Sequence, residues 1–298
     1  MKIGIITNKV LAQYLIKTFE KIGYESYWIS VSNTLSKILK DFKNCDIIYA
    51  HAPYELKVYL LAKLFQKKIV THWIGTDAYL ATNHFKFKIY ARICNLLTDK
   101  QLVVSSHLKE EIATIGIKDI VVIPILPKFI SSEISTIEHK NERFTILSYI
   151  IPNGFDFYGG TEILNLAKIF PDMDFWILAG DFSSKTSLKN VKFLGLIPPN
   201  EMDSIYDKCH VLLRYVKHDG MPKMLIEALQ KGLQVVYNFP FPHTHYCTSF
   251  EQIESKLYEL NEKYRINFEG RNYVLKNFCS KVNQTKFKNV FKELFEDK

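Results

Sequence analysis

No stretch of this 298-residue chain approaches the roughly 18–20 consecutive apolar residues that span a bilayer. The opening Met1-Lys2-Ile3-Gly4-Ile5-Ile6-Thr7 has too short an apolar run, and no small-residue cleavage site, to read as a secretory signal; it reads as a first strand. Cysteine is scarce and scattered: Cys45, Cys94, Cys209, Cys247 and Cys279 are odd in number and include no C-x-x-C pair. That speaks against a disulfide frame or a zinc cluster and for a reducing, cytoplasmic compartment. Also missing are the G-x-S-x-G, H-E-x-x-H and Walker patterns, which removes support from hydrolase and kinase readings. There is no recognised nucleic-acid module and no basic run interleaved with aromatics, so nucleic acid is not expected as a partner.

What is present suits a folded enzyme. Apolar residues make up 47% and charged residues 23% of the chain, enough for sizeable cores without long disordered tracts. The balance of 39 Lys plus Arg against 31 Asp plus Glu gives +8, which favours phosphate-bearing ligands or an anionic membrane surface.

Short runs rich in Ile, Val and Tyr alternate with segments of helical period, the pattern of a parallel sheet wrapped by helices. Strands are expected near 2–7, 25–30, 46–50, 68–73, 101–105 and 120–124, with helices over Val10–Ile22, Tyr54–Gln66, Phe85–Leu97 and Leu108–Ile115 between them. After Pro124 a polar stretch, 126–143, reads as a linker. The alternation restarts with Phe144–Tyr149, a helix near 160–170, Phe175–Ala179, Val191–Leu194, a helix near 200–208, Val211–Tyr215, a helix near 222–231 and Leu233–Tyr237. The expected class is α/β: two Rossmann-like, doubly wound parallel-sheet domains, 1–125 and 144–298, with the last helix a candidate to return to the first domain. Ligands of such sheets bind at the carboxyl ends of the strands, which places the site in a cleft shared by the two domains. From Phe250 onward the sequence is helical and basic, with Lys276, Lys281, Lys286, Lys288 and Lys292; a solvated helix face and a membrane-surface role are both open for it.

The segment Arg214-Tyr215-Val216-Lys217-His218-Asp219-Gly220-Met221-Pro222-Lys223-Met224-Leu225-Ile226-Glu227-Ala228-Leu229 follows a strand and opens a helix. Gly220 permits a tight turn and Pro222 suits a first helical turn. The exposed amides of such a turn, around Met221 and Lys223, with the positive helix end, make an anion site fit for a diphosphate. Glu227 can accept from vicinal hydroxyls such as those of a ribose, and Asp219 from hydroxyls of a second sugar. Arg214 and Lys217 can neutralise phosphate as a leaving group departs. His218 beside Asp219 leaves an acid–base and a packing role open.

This segment resembles the donor-binding signature of the retaining group 1 (family 4) glycosyltransferases, two acids eight positions apart before Ala-Leu. The likeness continues through Lys231-Gly232-Leu233-Gln234-Val235-Val236. It is joined upstream by Val191-Lys192-Phe193-Leu194-Gly195 and by Val104-Ser105-Ser106-His107-Leu108-Lys109, so that it spans about 100 to 240. The resemblance implies a GT-B fold, with a nucleotide-diphosphate sugar bound mainly by the second domain as co-substrate. A saccharide or lipid-linked acceptor is implied mainly on the first, with transfer at retained anomeric configuration and no metal or other cofactor. Asp172-Met173-Asp174, the one D-x-D, precedes a strand and reads as a turn. His72 in His72-Trp73-Ile74-Gly75 resembles an element that relatives place beside the transferred sugar, with Gly75 and Asp77 on the same wall; a hydrogen-bonded packing role for His72 stays open. His51 in Tyr49-Ala50-His51-Ala52-Pro53 is a further wall residue, and Asn8 and Lys9 stand where relatives often carry a glycine pair.

Four departures stand out. Asp219 is shorter than the usual Glu, Pro222 stands for a common Gly, Asn8-Lys9 replace the glycine pair, and the Arg and Lys-Gly of the phosphate loop are replaced by Pro152-Asn153-Gly154-Phe155-Asp156-Phe157-Tyr158-Gly159-Gly160. There Gly159 is retained and Tyr158 occupies the lysine's place, so Arg214 and Lys217 are expected to take over phosphate neutralisation. A GT-B epimerase, an inverting transferase and a donor-binding chain that assists a catalytic partner are the alternatives.

Overall fold

The computed structural model describes residues 1–51, 56–126 and 142–296. The chain divides into two units, Met1–Lys128 with Ser280–Lys298, and Phe129–Cys279. Ala52 and Pro53 of the His51 motif, and all but the ends of the 126–143 linker, lie outside the described residues.

In the first unit β1 (Lys2–Ile6), β2 (Glu25–Trp28), β3 (Ile47–His51), β4 (Lys68–Trp73), β5 (Lys100–Val103) and β6 (Ile120–Val122) form one parallel sheet ordered β2-β1-β3-β4-β5-β6. All five residues of β3 are buried, as a strand covered on both faces demands, which is why these strands read as apolar runs rather than alternations. The connecting helices are α1 (Lys9–Glu20), α2 (Leu35–Lys43), α3 (Leu56–Leu64), α4 (Thr76–Asn83), α5 (Phe85–Leu97) and α6 (Ser106–Ala113). Helix α1 lays Ala12, Leu15 and Phe19 on one side of the sheet. On the other lie Ile38 and Phe42 of α2, Val58, Tyr59 and Ala62 of α3, and Cys94 of α5.

The second unit repeats the plan. Strands β7 (Thr145–Ile150), β8 (Asp174–Ala179), β9 (Val191–Gly195), β10 (Val211–Arg214), β11 (Gln234–Tyr237) and β12 (His245–Tyr246) pair in parallel in the order β12-β11-β10-β7-β8-β9. Helices α7 (Gly160–Ile169), α8 (Met202–Tyr206), α9 (Lys223–Gln230), α10 (Phe250–Glu262) and α11 (Phe268–Asn277) complete it. Its core joins Ile146, Phe175, Val211 and Leu213 of the strands to Ile163 and Leu166 of α7 and Ile253 and Leu257 of α10. In this order β7 lies between β8 and β10, so the connections leave in opposite directions there. That switch point puts the loops after β7 and β10 at the place where open parallel sheets bind ligands.

The last helix, α12 (Ser280–Glu296), belongs to the first unit. Its Phe287, Val290, Phe291 and Leu294 are buried beside Phe19 and Tyr49. The Phe291 ring meets Phe19 edge-on at 5.0 Å and Tyr24 at 5.3 Å, and Phe287 meets Phe19 at 5.2 Å. Asn283 donates to the Pro124 carbonyl at 2.9 Å, and Glu293 pairs with Lys100 at 2.8 Å. The lysines that dominate this stretch of sequence sit around a stripe at spacings of three, one and three that serves as core.

Candidate functional site

At the switch point of the second unit, β10 ends on Arg214 and the chain reaches α9 through 215–222. Pro222 lies one residue ahead of the helix in extended backbone (φ −70°, ψ 126°), not in the first turn: its fixed φ suits an extended residue equally, and the helix opens at Lys223. Gly220 is not among the glycines of positive φ, whereas Gly159 is (φ +69°). Gly159 caps α7 in the left-handed region, and a Cβ there would collide with the carbonyl oxygen of Tyr215. The 152–159 loop thus lies directly against the chain leaving β10. Lys217 N–H donates to the Phe157 carbonyl at 2.9 Å, and Asn238 clamps Val216 from the other side, accepting from its N–H at 3.0 Å and donating to its carbonyl at 2.7 Å.

Arg214 and Asp219 are bonded to each other. The Arg214 Nε donates to Asp219 Oδ2 at 2.5 Å, both side chains being about a tenth exposed, and Asp219 Oδ1 accepts from Gly220 N–H at 3.0 Å. The guanidinium lies over the Tyr158 ring at 5.4 Å, so the residue in the lysine's place touches the arginine expected to compensate for it. Burial opposes the arginine's charge, but the Asp219 carboxylate outweighs it and holds the pKa above the ordinary range. Buried Tyr237 carries its hydroxyl close to the same carboxylate; burial first, and that negative charge second, push its pKa well up.

Glu227 is half-buried on α9 and accepts from the Tyr206 hydroxyl, at the end of α8, at 2.6 Å. Burial raises the Glu227 pKa, against the hydrogen bond and the Lys223 charge one turn earlier, which lower it. Lys217 and Lys223 are exposed, and His218 faces Phe239 edge-on at 6.3 Å. Asp174, of the D-x-D, pairs with Arg143 at 3.0 Å. The structure therefore groups Asp219 with Arg214 and Lys223 with Glu227. Sequence reasoning missed Tyr206, Asn238 and Tyr237, which reach the site from other elements.

The first-unit residues divide differently. Asn8 caps α1, accepting from Leu11 N–H at 2.9 Å, and Lys9 opens that helix, exposed. Gly75 (φ +139°) caps α4, and buried Asp77 turns its carboxylate onto the amides of Ile74, Gly75 and Ala78 at 2.7–3.0 Å. Burial nonetheless pushes its pKa up to about 6, the amide bonds pulling the other way. His51 and His72 are register partners on β3 and β4. The His51 Nδ1 is 2.8 Å from Thr7 Oγ1; His72 is fully buried, its Nδ1 hydrogen-bonded to the Tyr49 hydroxyl and its ring 6.4 Å from Phe287. The His72 ring thus packs in the core rather than lining a surface.

Burial lowers the His72 pKa to about 3, and burial plus the neighbouring His72 lower that of His51 well below its usual value. The unfolded chain takes up protons below about pH 6.5 that the folded unit refuses, so stability is present above that pH and falls on acidification by about 1.4 kcal/mol per pH unit for each ring. Asp77, shifted upward, has the opposite sign and offsets part of this below pH 6. Hydrogen exchange of the β1, β3 and β4 amides at pH 7 and pH 5.5, corrected for the intrinsic exchange rate, should show the loss. His72→Gln, which keeps an acceptor for Tyr49, should remove one ring's share; an unchanged slope would mean that the folded ring takes up its proton.

The sequence matches no family model and no curated protein. Solved structures match in fold. HepE of Anabaena, in complex with UDP and glucose, aligns at a TM-score of 0.76 with 13% identity, over 98% of this chain and all of that one. The lipopolysaccharide outer core galactosyltransferase WaaB, in its apo form, aligns at 0.70 with 13% identity, over 98% and 100%. A putative UDP-N-acetylglucosamine 2-epimerase from Listeria monocytogenes aligns at 0.62 with 11% identity, over 100% and 97%. Two six-stranded parallel sheets with flanking helices, in these strand orders, make this a GT-B fold.

Proposed function

We propose that the protein is a glycosyltransferase that takes a UDP-sugar through its second unit and transfers the sugar, with retention, to a saccharide or lipid-linked acceptor held by the first. The observation that carries this reading is the grouping of Lys217, Lys223 and Glu227 on the loop and opening turns of α9, at the switch point of a parallel sheet. The first-turn amides and the two exposed lysines suit a diphosphate, and serve in place of a metal as it departs. The Glu227 carboxylate, oriented by Tyr206, suits the ribose hydroxyls. UDP is chosen because HepE was solved with UDP and with UDP-glucose. Arg214, engaged by Asp219, shapes the loop, and phosphate neutralisation falls to Lys217 and Lys223. The reaction is cytoplasmic in this reading.

Calorimetric titration with UDP and UDP-sugars tests it. Glu227→Gln, which keeps the shape and the acceptor for Tyr206, should weaken UDP binding about 10–100-fold, as loss of a charged hydrogen-bonding group does. Binding indifferent to that change would remove the site. Retained linkage in a product glycoside supports transfer; a free epimerised sugar would favour the epimerase that shares the fold, and donor binding without turnover across acceptors a binding-only chain.

A further inference from the structure

Helices α3 and α5 pack side by side over one face of the first sheet, and both are apolar on the side away from it as well. On α3, Val58, Tyr59 and Ala62 face the core while Leu60 and Leu64, one turn apart, are exposed. On α5, Ala91 and Cys94 are buried, whereas Phe85, Ile89 and Leu96 line the opposite face at helical spacing, with Ile93 beside them. These are not glancing exposures: Leu64 is 74%, Phe85 78% and Leu96 82% exposed. A helix apolar all round normally lies inside a protein or a membrane, and a contiguous exposed apolar surface marks an interaction site.

Charge selects the partner. The two helices carry Lys57, Lys63, Lys86, Lys88 and Arg92 and not one Asp or Glu. Lys63 is engaged by Asp99, but Lys86 and Lys88 flank the apolar stripe of α5 itself. A second copy docked about a two-fold axis would set this basic face against itself, at a cost in repulsion. Exposed apolar side chains on neighbouring helices, accompanied by lysines, fit the interface of an acidic membrane: the former enter the acyl boundary and the latter meet phosphate. The last helix lacks this combination, its Phe287, Val290, Phe291 and Leu294 being spent in the core.

We propose that the outer face of α3 and α5 is a docking surface for an anionic phospholipid bilayer. This does not rest on the glycosyltransferase reading. Flotation with phosphatidylcholine vesicles, with and without phosphatidylglycerol, tests it on the whole chain. The wild type should partition onto the anionic vesicles more than roughly tenfold better than onto the neutral ones, and less so at high salt. Lys86→Glu/Lys88→Glu and Phe85→Ser/Leu96→Ser should each lose roughly tenfold or more, with unchanged circular dichroism because Lys86, Phe85 and Leu96 are exposed and Lys88 is partly so. Lys281→Glu/Lys288→Glu, on the last helix, should bind as the wild type does. Absence of vesicle binding, loss confined to the last-helix variant, or a dimer in sedimentation that the α5 variants dissolve would each overturn the proposal.

Discussion

The Arg214→Met protein is expected to lose about 3–5 kcal/mol of stability in its second unit, because the change strands Asp219 in a largely buried position without its counter-charge. The contact over Tyr158 goes too, and the 215–222 loop loses the bond that folds it back on β10. Arg214→Met/Asp219→Asn should recover much of the loss, since an amide still accepts from Gly220 N–H and carries no charge. Hydrogen exchange of the β7 and β10 amides reads the second unit by itself, where a single denaturation curve would mix two transitions. Were Arg214 held chiefly for a ligand's phosphate, the single variant would keep its stability and only nucleotide affinity would fall.

Removing residues 280–298 is expected to unfold the first unit altogether. The segment supplies Phe287, Val290, Phe291 and Leu294 to that unit's core, and truncating a buried Phe to Ala alone costs about 3–5 kcal/mol. A domain's whole stability is about 5–15 kcal/mol, so even Phe287→Ala/Phe291→Ala brings the unit near its threshold. Exchange protection should vanish from β1, β3 and β4 while β7 and β8 stay protected. Persisting protection in β1 and β3 would mean that the helix is an accessory.

These two cases show where sequence reading reaches and where it stops. The runs of β1 to β11 were legible to within one or two residues, most plainly where strands covered on both faces are continuous in Ile and Val; β3 was expected at 46–50 and spans Ile47–His51, whereas the two-residue edge strand β12 was not expected. Helix α2 was not expected, although Leu35, Ile38, Leu39 and Phe42 stand at i, i+3, i+4 and i+7; its nine residues give the period only two turns in which to show. Helix α4 carries almost no apolar period, its buried face being Asp77, Ala78 and Ala81, and the Asp77 carboxylate that reads as a ligand group is taken up by the amides of its own turn. The apolar spacing of 85–97 announced a helix truly, but periodicity cannot say whether a stripe meets the core or the outside, and on α5 much of it faces out. The pairings among the candidate residues were not legible, because Tyr206 meets Glu227 across 21 positions and Asn238 meets Val216 across 22, distances at which no local pattern survives.

The split composition of the first unit also orders events on the ribosome. Residues 129–279 form a complete unit as soon as they emerge, although they are second in the chain, whereas 1–128 wait for Phe287 and Phe291. At about 5–20 residues per second that wait is on the order of ten to thirty seconds, with Phe19 and Tyr49 uncovered throughout. The nascent chain should therefore be a client of hydrophobe-binding chaperones through its N-terminal half, released from them only when its last helix arrives.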